Sequence, residues 1–348
     1  MKLVGIGDLY IPAKMIMENL PDLSGHGIEV AAVDWPLKGY DELQAYNLKI
    51  ETSGPAAVDL PDRLVEHLAE ADIILTHFGP LSRGTMQKCT QLKLIGVMRV
   101  GVGNVDTDEA RARNITVLNT PGRNAHAVAD FTVGLMLAES RNIARAHAAL
   151  KQARWRKDFI NWNYMPELGE KTVGIIGFGA IGRLVAKKLS GFGVKILAYD
   201  PFVNPADLGG IPQVKLCGLD ELLRESDFVT IHARLTDASR ALINRENIQL
   251  MKKTSYLINT SRAEIVEELA LREALEQRWI TGAALDVFYG EPPLPTDWIL
   301  ELDNVTLTPH MAGSTYDAYR NSVKLLGERL RLHLETEGNL LAVQHQRR

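Results

Sequence analysis

Cysteine is nearly missing: the chain has two, Cys89 and Cys217, in 348 residues. Two thiols cannot staple a chain of this length, so a disulfide scaffold is excluded and a reducing, cytoplasmic setting is expected. No apolar run approaches the roughly 18 residues of a membrane span, so no membrane partner is expected. The opening MKLVGIGDLYIPAK breaks its short apolar stretch at Asp8. It reads as a first buried strand and not as a signal peptide. A surplus of one charge is missing too. Lys and Arg number 39 against 43 Asp and Glu, a net charge of −4. Without a basic block there is no electrostatic footprint for nucleic acid. Repeats and low-complexity tracts are also absent, and 46% hydrophobic content argues against disorder. At about 150 residues per domain, the length predicts two domains with sizeable cores.

What the sequence does have is alternation. Short apolar runs at 3–6, 29–33, 73–76, 94–97, 116–118, 172–176, 195–199, 228–232, 256–259, 282–285 and 305–307 are separated mostly by helix-length amphipathic segments. That pattern predicts parallel sheets in an α/β fold. A turn cluster, Asn119-Thr120-Pro121-Gly122-Arg123-Asn124, precedes an expected long helix from 125 to about 149. The stretch 151–168 carries Trp155, Trp162 and basic residues, which suits an interaction arm or a packed loop. A last amphipathic helix is expected over 314–336.

The sharpest local signal is Gly177-x-Gly179-Ala180-Ile181-Gly182, entered from the strand 172–176 and leaving into a helix. Gly177 allows the tight turn, Gly179 a close approach of the backbone to a pyrophosphate, and Gly182 close packing of helix on strand. The helix start offers free N–H groups to the phosphates. A second strand ends at Asp200, where a carboxylate would accept hydrogen bonds from ribose hydroxyls and repel a 2′-phosphate. NAD is therefore expected over NADP. Two similar runs, Gly5-Ile6-Gly7-Asp8 and Gly101-Val102-Gly103-Asn104-Val105-Asp106, lack the third glycine at the right distance.

Hydride transfer at an alcohol carbon needs a proton acceptor of near-neutral pKa and a cation for an anionic substrate. His310, Arg262 and Glu291 each follow an expected strand of the series that begins with the glycine loop. Loops at the carboxyl ends of strands are where α/β sheets place ligands. No His, Cys or Asp cluster has metal-ligand spacing, and no metal is expected.

Taken together, the run Asn119–Ala125, the Gly177 loop, Asn259-Thr260-Ser261-Arg262, Leu285-Asp286-Val287-Phe288 with Glu291-Pro292, and Pro309-His310 resemble the D-isomer-specific 2-hydroxyacid dehydrogenases. The resemblance covers nearly the whole chain. It implies two doubly wound parallel-sheet domains: a Rossmann NAD domain, 120–313, inserted into a flavodoxin-like substrate domain, 1–119 and 314–348. It implies NAD-dependent interconversion of a small anionic 2-hydroxy acid and its 2-keto acid. His310 would move the hydroxyl proton, Glu291 would hold the imidazole, and Arg262 would bind the substrate carboxylate and polarise the C2 oxygen. Asp286 would lie beside the nicotinamide, with further cofactor contacts at His232, Thr260 and Gly313. Backbone N–H groups of Val100, Gly101 and Val102 look like the family's carboxylate loop, cast as an anion nest. Family members are usually homodimers joined through the long helix.

The sequence departs from the family in places. Ala263-Glu264-Ile265-Val266-Glu267 follows Arg262 where the family usually has a glycine pair and then Val-Asp, and Arg234 stands where proline is common. Arg234 suits a cofactor contact, an acidic substrate group or solvent. No long extension follows the last helix, so the serine-sensing domain of some phosphoglycerate dehydrogenases is not expected. His77 and Arg99 could bind a phosphate or extra hydroxyls, or be a strand cap and an ion-paired side chain; Phe78 would limit a bulky apolar substituent. Phosphoglycerate, hydroxypyruvate, glyoxylate and sugar-derived acids all stay open. The alternative is an NAD(H)-sensing co-repressor of the same fold, which need not keep Arg262, Glu291 and His310. An enzyme acting on formate would want a different substrate loop.

Overall fold

The structure is a computed structural model and describes residues 1–208 and 214–336. The chain forms two compact units, Met1–Asn124 with the segment from Ser314 onward, and Ala125–Gly313. The expected substrate domain includes 337–348, which lie outside the described residues.

Unit 1 holds five parallel strands: β1 Lys2–Gly7, β2 Glu29–Asp34, β3 Ile73–Thr76, β4 Leu94–Val97 and β5 Thr116–Leu118. Their order is β2-β1-β3-β4-β5, the flavodoxin-like arrangement expected. Side chains alternate across this sheet, as a period of two requires. Val4, Ile6, Ile74 and Ile95 enter one core, while Leu3, Ile73, Leu75 and Leu94 enter another. The second core is closed by Val323, Leu326 and Leu330 of the terminal helix Tyr316–Glu335.

Unit 2 holds seven parallel strands: β6 Thr172–Ile176, β7 Lys195–Tyr199, β8 Val214–Leu216, β9 Phe228–Ile231, β10 Tyr256–Asn259, β11 Gly282–Leu285 and β12 Val305–Leu307. The order β12-β11-β10-β9-β6-β7-β8 is the Rossmann order with one strand added. Strands β9, β10 and β11 are buried along their whole length, the mark of a parallel sheet covered on both faces.

Two features differ from expectation. β8 was not foreseen; it is a three-residue edge strand with an exposed Lys215, too short and polar to signal burial. The expected helix from 125 to 149 is two helices, Ala125–Ser140 and Ile143–Lys151. Between them Asn142 takes a left-handed φ of 56°. Asn tolerates that region better than most residues. Its buried amide donates to Asn161 Oδ1 at 2.7 Å, which holds the break in place.

Candidate active site

Strands β10, β11 and β12 lie side by side in register, Asn259 opposite Leu285 and Leu285 opposite Leu307. Their carboxyl ends therefore share one edge, and the loops leaving them carry Arg262, Glu291 and His310. Asn259 shapes the first loop: its side chain donates to Arg262 O at 2.8 Å and accepts from Ser261 N at 3.0 Å. The run after Arg262 forms a 3₁₀ turn, Ala263–Ile265, in which Ala263 and Ile265 are buried. The Arg262 side chain is exposed, with Nη1 donating to Ser261 O at 2.7 Å.

His310 sits at a left-handed φ of 48°, a conformation that costs a non-glycine residue about 1 kcal/mol or more. Asp286 holds that backbone. Its fully buried carboxylate accepts from Thr308 Oγ1 at 2.6 Å, Met311 N at 2.9 Å and Ala312 N at 2.8 Å. Asp286, expected beside the nicotinamide, thus acts on the loop that presents the imidazole.

Glu291 accepts from Phe288 N at 3.1 Å through one oxygen and meets His310 Nδ1 at 2.7 Å through the other. The carboxylate fixes Nδ1 as the protonated nitrogen and leaves Nε2 for a ligand. The Glu291 hydrogen bond and charge raise the His310 pKa above its ordinary value, against burial and the Arg262 charge. Burial alone would raise Glu291. The His310 hydrogen bond and charge, with Phe288 N–H and Arg262, hold it below the ordinary carboxylate value instead. With side chains 47% and 38% exposed, His310 and Glu291 stay reachable from solvent.

The residues of the glycine loop fit a dinucleotide. Gly177 turns at φ 89°, and a Cβ there would lie 2.4 Å from Ala233 N. A Cβ on Gly182 would lie 2.2 Å from Gly177 O, whereas one on Gly179 would meet nothing within 4 Å. The backbone is thus packed tight on both sides of an open approach. Gly179 gives the helix Ala180–Leu189 no side-chain cap, so Ala180 and Ile181 begin it with donors suited to phosphate. Asp200 follows β7 and accepts from Phe178 N at 2.8 Å and Phe202 N at 2.9 Å. A carboxylate can accept about four hydrogen bonds, which leaves capacity for ribose hydroxyls. His232 ends β9 beside Gly177; burial pushes its pKa down to about 3, so it stays neutral. Its Nε2 meets Thr230 Oγ1 at 2.9 Å, and its buried Nδ1 has no partner. Thr260 Oγ1 meets Thr132 Oγ1 at 3.0 Å, Gly313 is the last residue of unit 2, and Arg234 lies exposed past β9.

Unit 1 gathers the expected substrate contacts. Among the described residues, the N–H groups of Val100, Gly101 and Val102 donate to nothing in the chain. Neither Gly101 nor Gly103 takes a left-handed φ, so these donors are presented without the alternating-handed backbone of a nest. His77 is fully buried, its Nδ1 meeting Asp8 Oδ2 at 2.9 Å. Burial, helped by the charges of Arg123 and Arg99, lowers its pKa against the pull of Asp8. Phe78 lies beneath the Arg99 guanidinium at 4.4 Å. Arg99 itself is ion-paired, to Glu51 at 2.8 Å. Asp8 escaped the sequence reading, although it follows a strand directly; so did Arg123 and Tyr319.

Among the described residues no group of His, Cys, Asp or Glu could hold a metal ion, and no helix is long and apolar enough to cross a membrane.

With this geometry in view, the comparisons are consistent. The sequence model described as "D-isomer specific 2-hydroxyacid dehydrogenase, NAD binding domain" matches residues 133–312. A hydroxypyruvate reductase of Thermotoga maritima is 41% identical over 264 residues, 74% of this chain and 83% of that protein. A D-3-phosphoglycerate dehydrogenase of Methanocaldococcus jannaschii is 39% identical over 279 residues, 79% of this chain; the chain spans only about half of that relative, 52%. In fold, the NAD-complexed D-isomer specific 2-hydroxyacid dehydrogenase of Lactobacillus delbrueckii superposes with a TM-score of 0.76. That likeness covers 99% of this chain and all of that one, at 24% identity. The chain belongs to the D-isomer specific 2-hydroxyacid dehydrogenase family of NAD-dependent oxidoreductases.

Proposed function

We propose that the enzyme interconverts a small D-2-hydroxy acid and its 2-keto acid with His310 as acid and base, Glu291 as its orienting carboxylate and Arg262 as the substrate's cation. The observation that carries this is the 2.7 Å contact of His310 Nδ1 with Glu291, which leaves Nε2 available. NAD, when bound, supplies or accepts the hydride. In reduction His310 Nε2 gives a proton to the C2 oxygen, and in oxidation it takes the hydroxyl proton. The imidazolium formed in oxidation is stabilised by Glu291. Arg262 holds the carboxylate and draws charge onto the C2 oxygen, and the open N–H groups of Val100, Gly101 and Val102 are donors suited to an anionic substrate group. Within unit 1 the proposed substrate contacts are His77, Phe78 and the N–H loop. Relatives named hydroxypyruvate reductase and glyoxylate reductase favour a small substrate of that kind.

The test is loss of NADH absorbance with hydroxypyruvate, glyoxylate, pyruvate and sugar-derived 2-keto acids. Turnover of at least one is expected, and turnover of none overturns the assignment.

The pH profile follows from the charges. Reduction needs protonated His310, so its kcat/KM is full at low pH and falls as pH rises through the raised pKa. Oxidation needs the neutral ring and rises over the same range. Glu291→Gln removes the charge that raises His310, so both limbs move to lower pH. Limbs that stay in place, read from kcat/KM profiles in both directions, separate Glu291 from the titration.

We further propose a homodimer in the cytoplasm. Ile143, Leu150, Trp155 and Trp162 are exposed on the segment 143–162, Trp155 by 79%, and such apolar exposure suits a protein partner. Both cysteines are free thiols, in keeping with a reducing compartment.

A further inference from the structure

In unit 1 a charged cluster lies beside the Val100–Val102 loop, and most of its members have no part in the reaction proposed above. The order β2-β1-β3-β4-β5 reverses direction between β1 and β3, the switch point at which sheets of this order take ligands. Asp8 follows β1 and His77 follows β3 at that point. Asp8 is already saturated: one oxygen accepts from Tyr10 N and Ile11 N, the other from His77 Nδ1 and Phe78 N, all within 3.2 Å. Arg99 is committed to Asn47 Oδ1 and Glu51.

Arg123 differs from both. It stands in the turn after β5, with its guanidinium largely out of water. A guanidinium carries five N–H donors. Nη1 donates to Ser322 Oγ at 3.2 Å, while the buried Nε–H has no partner. The group lies 5.7 Å over the Tyr319 ring, and no carboxylate pairs with it among the described residues. A desolvated cation without a directly paired carboxylate is costly, and here burial, with the Arg99 charge, pushes its pKa down to about 10 against the charges of Tyr319 and Asp8.

Hydrogen bonds tie the turn that carries this cation to the N–H loop. Asn119 Nδ2 donates to Val100 O at 2.6 Å, and Thr120 donates through N and Oγ1 to Arg99 O at 2.9 and 3.1 Å. The Tyr319 ring, in turn, stands edge-on to His77 at 5.7 Å. Arg123 therefore projects from the turn that anchors the carboxylate loop, next to the switch point.

We propose that Arg123 is a specificity-determining residue: it takes a second anionic group of the substrate, a carboxylate or a phosphate. A planar guanidinium pairs with either group through two parallel N–H bonds. The proposal rests on the assigned reaction for the identity of the first anionic group.

Two substrate pairs differing by one anionic group test it: hydroxypyruvate with its 3-phosphate ester, and 2-oxopentanoate with 2-oxopentanedioate. Both kcat/KM and calorimetric affinity for the NADH-loaded enzyme are measured. The wild type is expected to favour the doubly anionic member of at least one pair by about tenfold or more. The pair showing the preference tells phosphate from carboxylate. Arg123→Gln is expected to lower that ratio about tenfold, and Arg123→Lys, which keeps the charge but not the fork, to lower it less. No wild-type preference in either pair overturns the proposal, as does a ratio that Arg123→Gln leaves within twofold. Should Arg123→Gln not fold, as judged by melting temperature and NADH affinity, an unchanged ratio in Arg123→Lys overturns it equally. If no keto acid is turned over, the assigned reaction falls, while the calorimetric ratios still decide the role of Arg123.

Discussion

His310→Asn is expected to lower kcat by about 10²–10⁴-fold, the range for loss of a positioned acid and base. Asn is the replacement to use, because position 310 has a φ of 48° and Asn enters the left-handed region more readily than Ala or Gln. The loop itself should survive. Asp286 holds it through Thr308 Oγ1, Met311 N and Ala312 N, and none of these bonds involves the imidazole. The glycine loop and Asp200 are untouched, so NADH affinity, read by fluorescence titration, should stay near the wild-type value. An amide cannot exchange a proton near neutrality, so the pH limbs assigned to His310 should vanish with the activity. Turnover within tenfold of wild type would mean that another group moves the proton. Loss of NADH binding would mean that His310 serves the fold.

Eleven of the twelve strands among the described residues were legible in the sequence because parallel strands buried on both faces are short unbroken apolar runs. Strands such as Ile73–Thr76 and Tyr256–Asn259 show that burial throughout. The edge strand Val214–Leu216 has no such run. The Asn142 break was illegible for a different reason: apolar spacing continues across it, and the partner that stabilises it, Asn161, is 19 residues further on. At the site, sequence placed Arg262, Glu291 and His310 at strand ends, and register brings those ends to one edge. It did not show where lone pairs go. That the Asp286 oxygens hold the His310 loop could not be read from the chain order. For Arg99 the sequence left an anion contact and an ion pair both open, and Glu51 pairs with it. Asp8 and His77 are 69 residues apart, and only the pairing of β1 with β3 makes them neighbours.

Arg262→Met is expected to lower kcat/KM by about 10²-fold or more. A bidentate, charge-assisted contact contributes roughly 1.5–3 kcal/mol per hydrogen bond. The loss should divide between the two constants. Holding the carboxylate is an interaction of the ground state as well as the transition state and appears in KM, whereas drawing charge onto the C2 oxygen grows along the reaction and appears in kcat. A rise in KM alone would confine Arg262 to binding. Arg262→Lys should recover only part, because the ammonium lacks the planar fork. The pH profile supplies an independent sign. The Arg262 charge lowers the pKa of His310, whereas the Glu291 charge raises it. Removing Arg262 should therefore move the reduction limb to higher pH, opposite to the shift from Glu291→Gln. Limbs moving the same way in both variants would mean that the two charges do not act on His310 as opposed neighbours, and the assigned trio would lose its electrostatic basis.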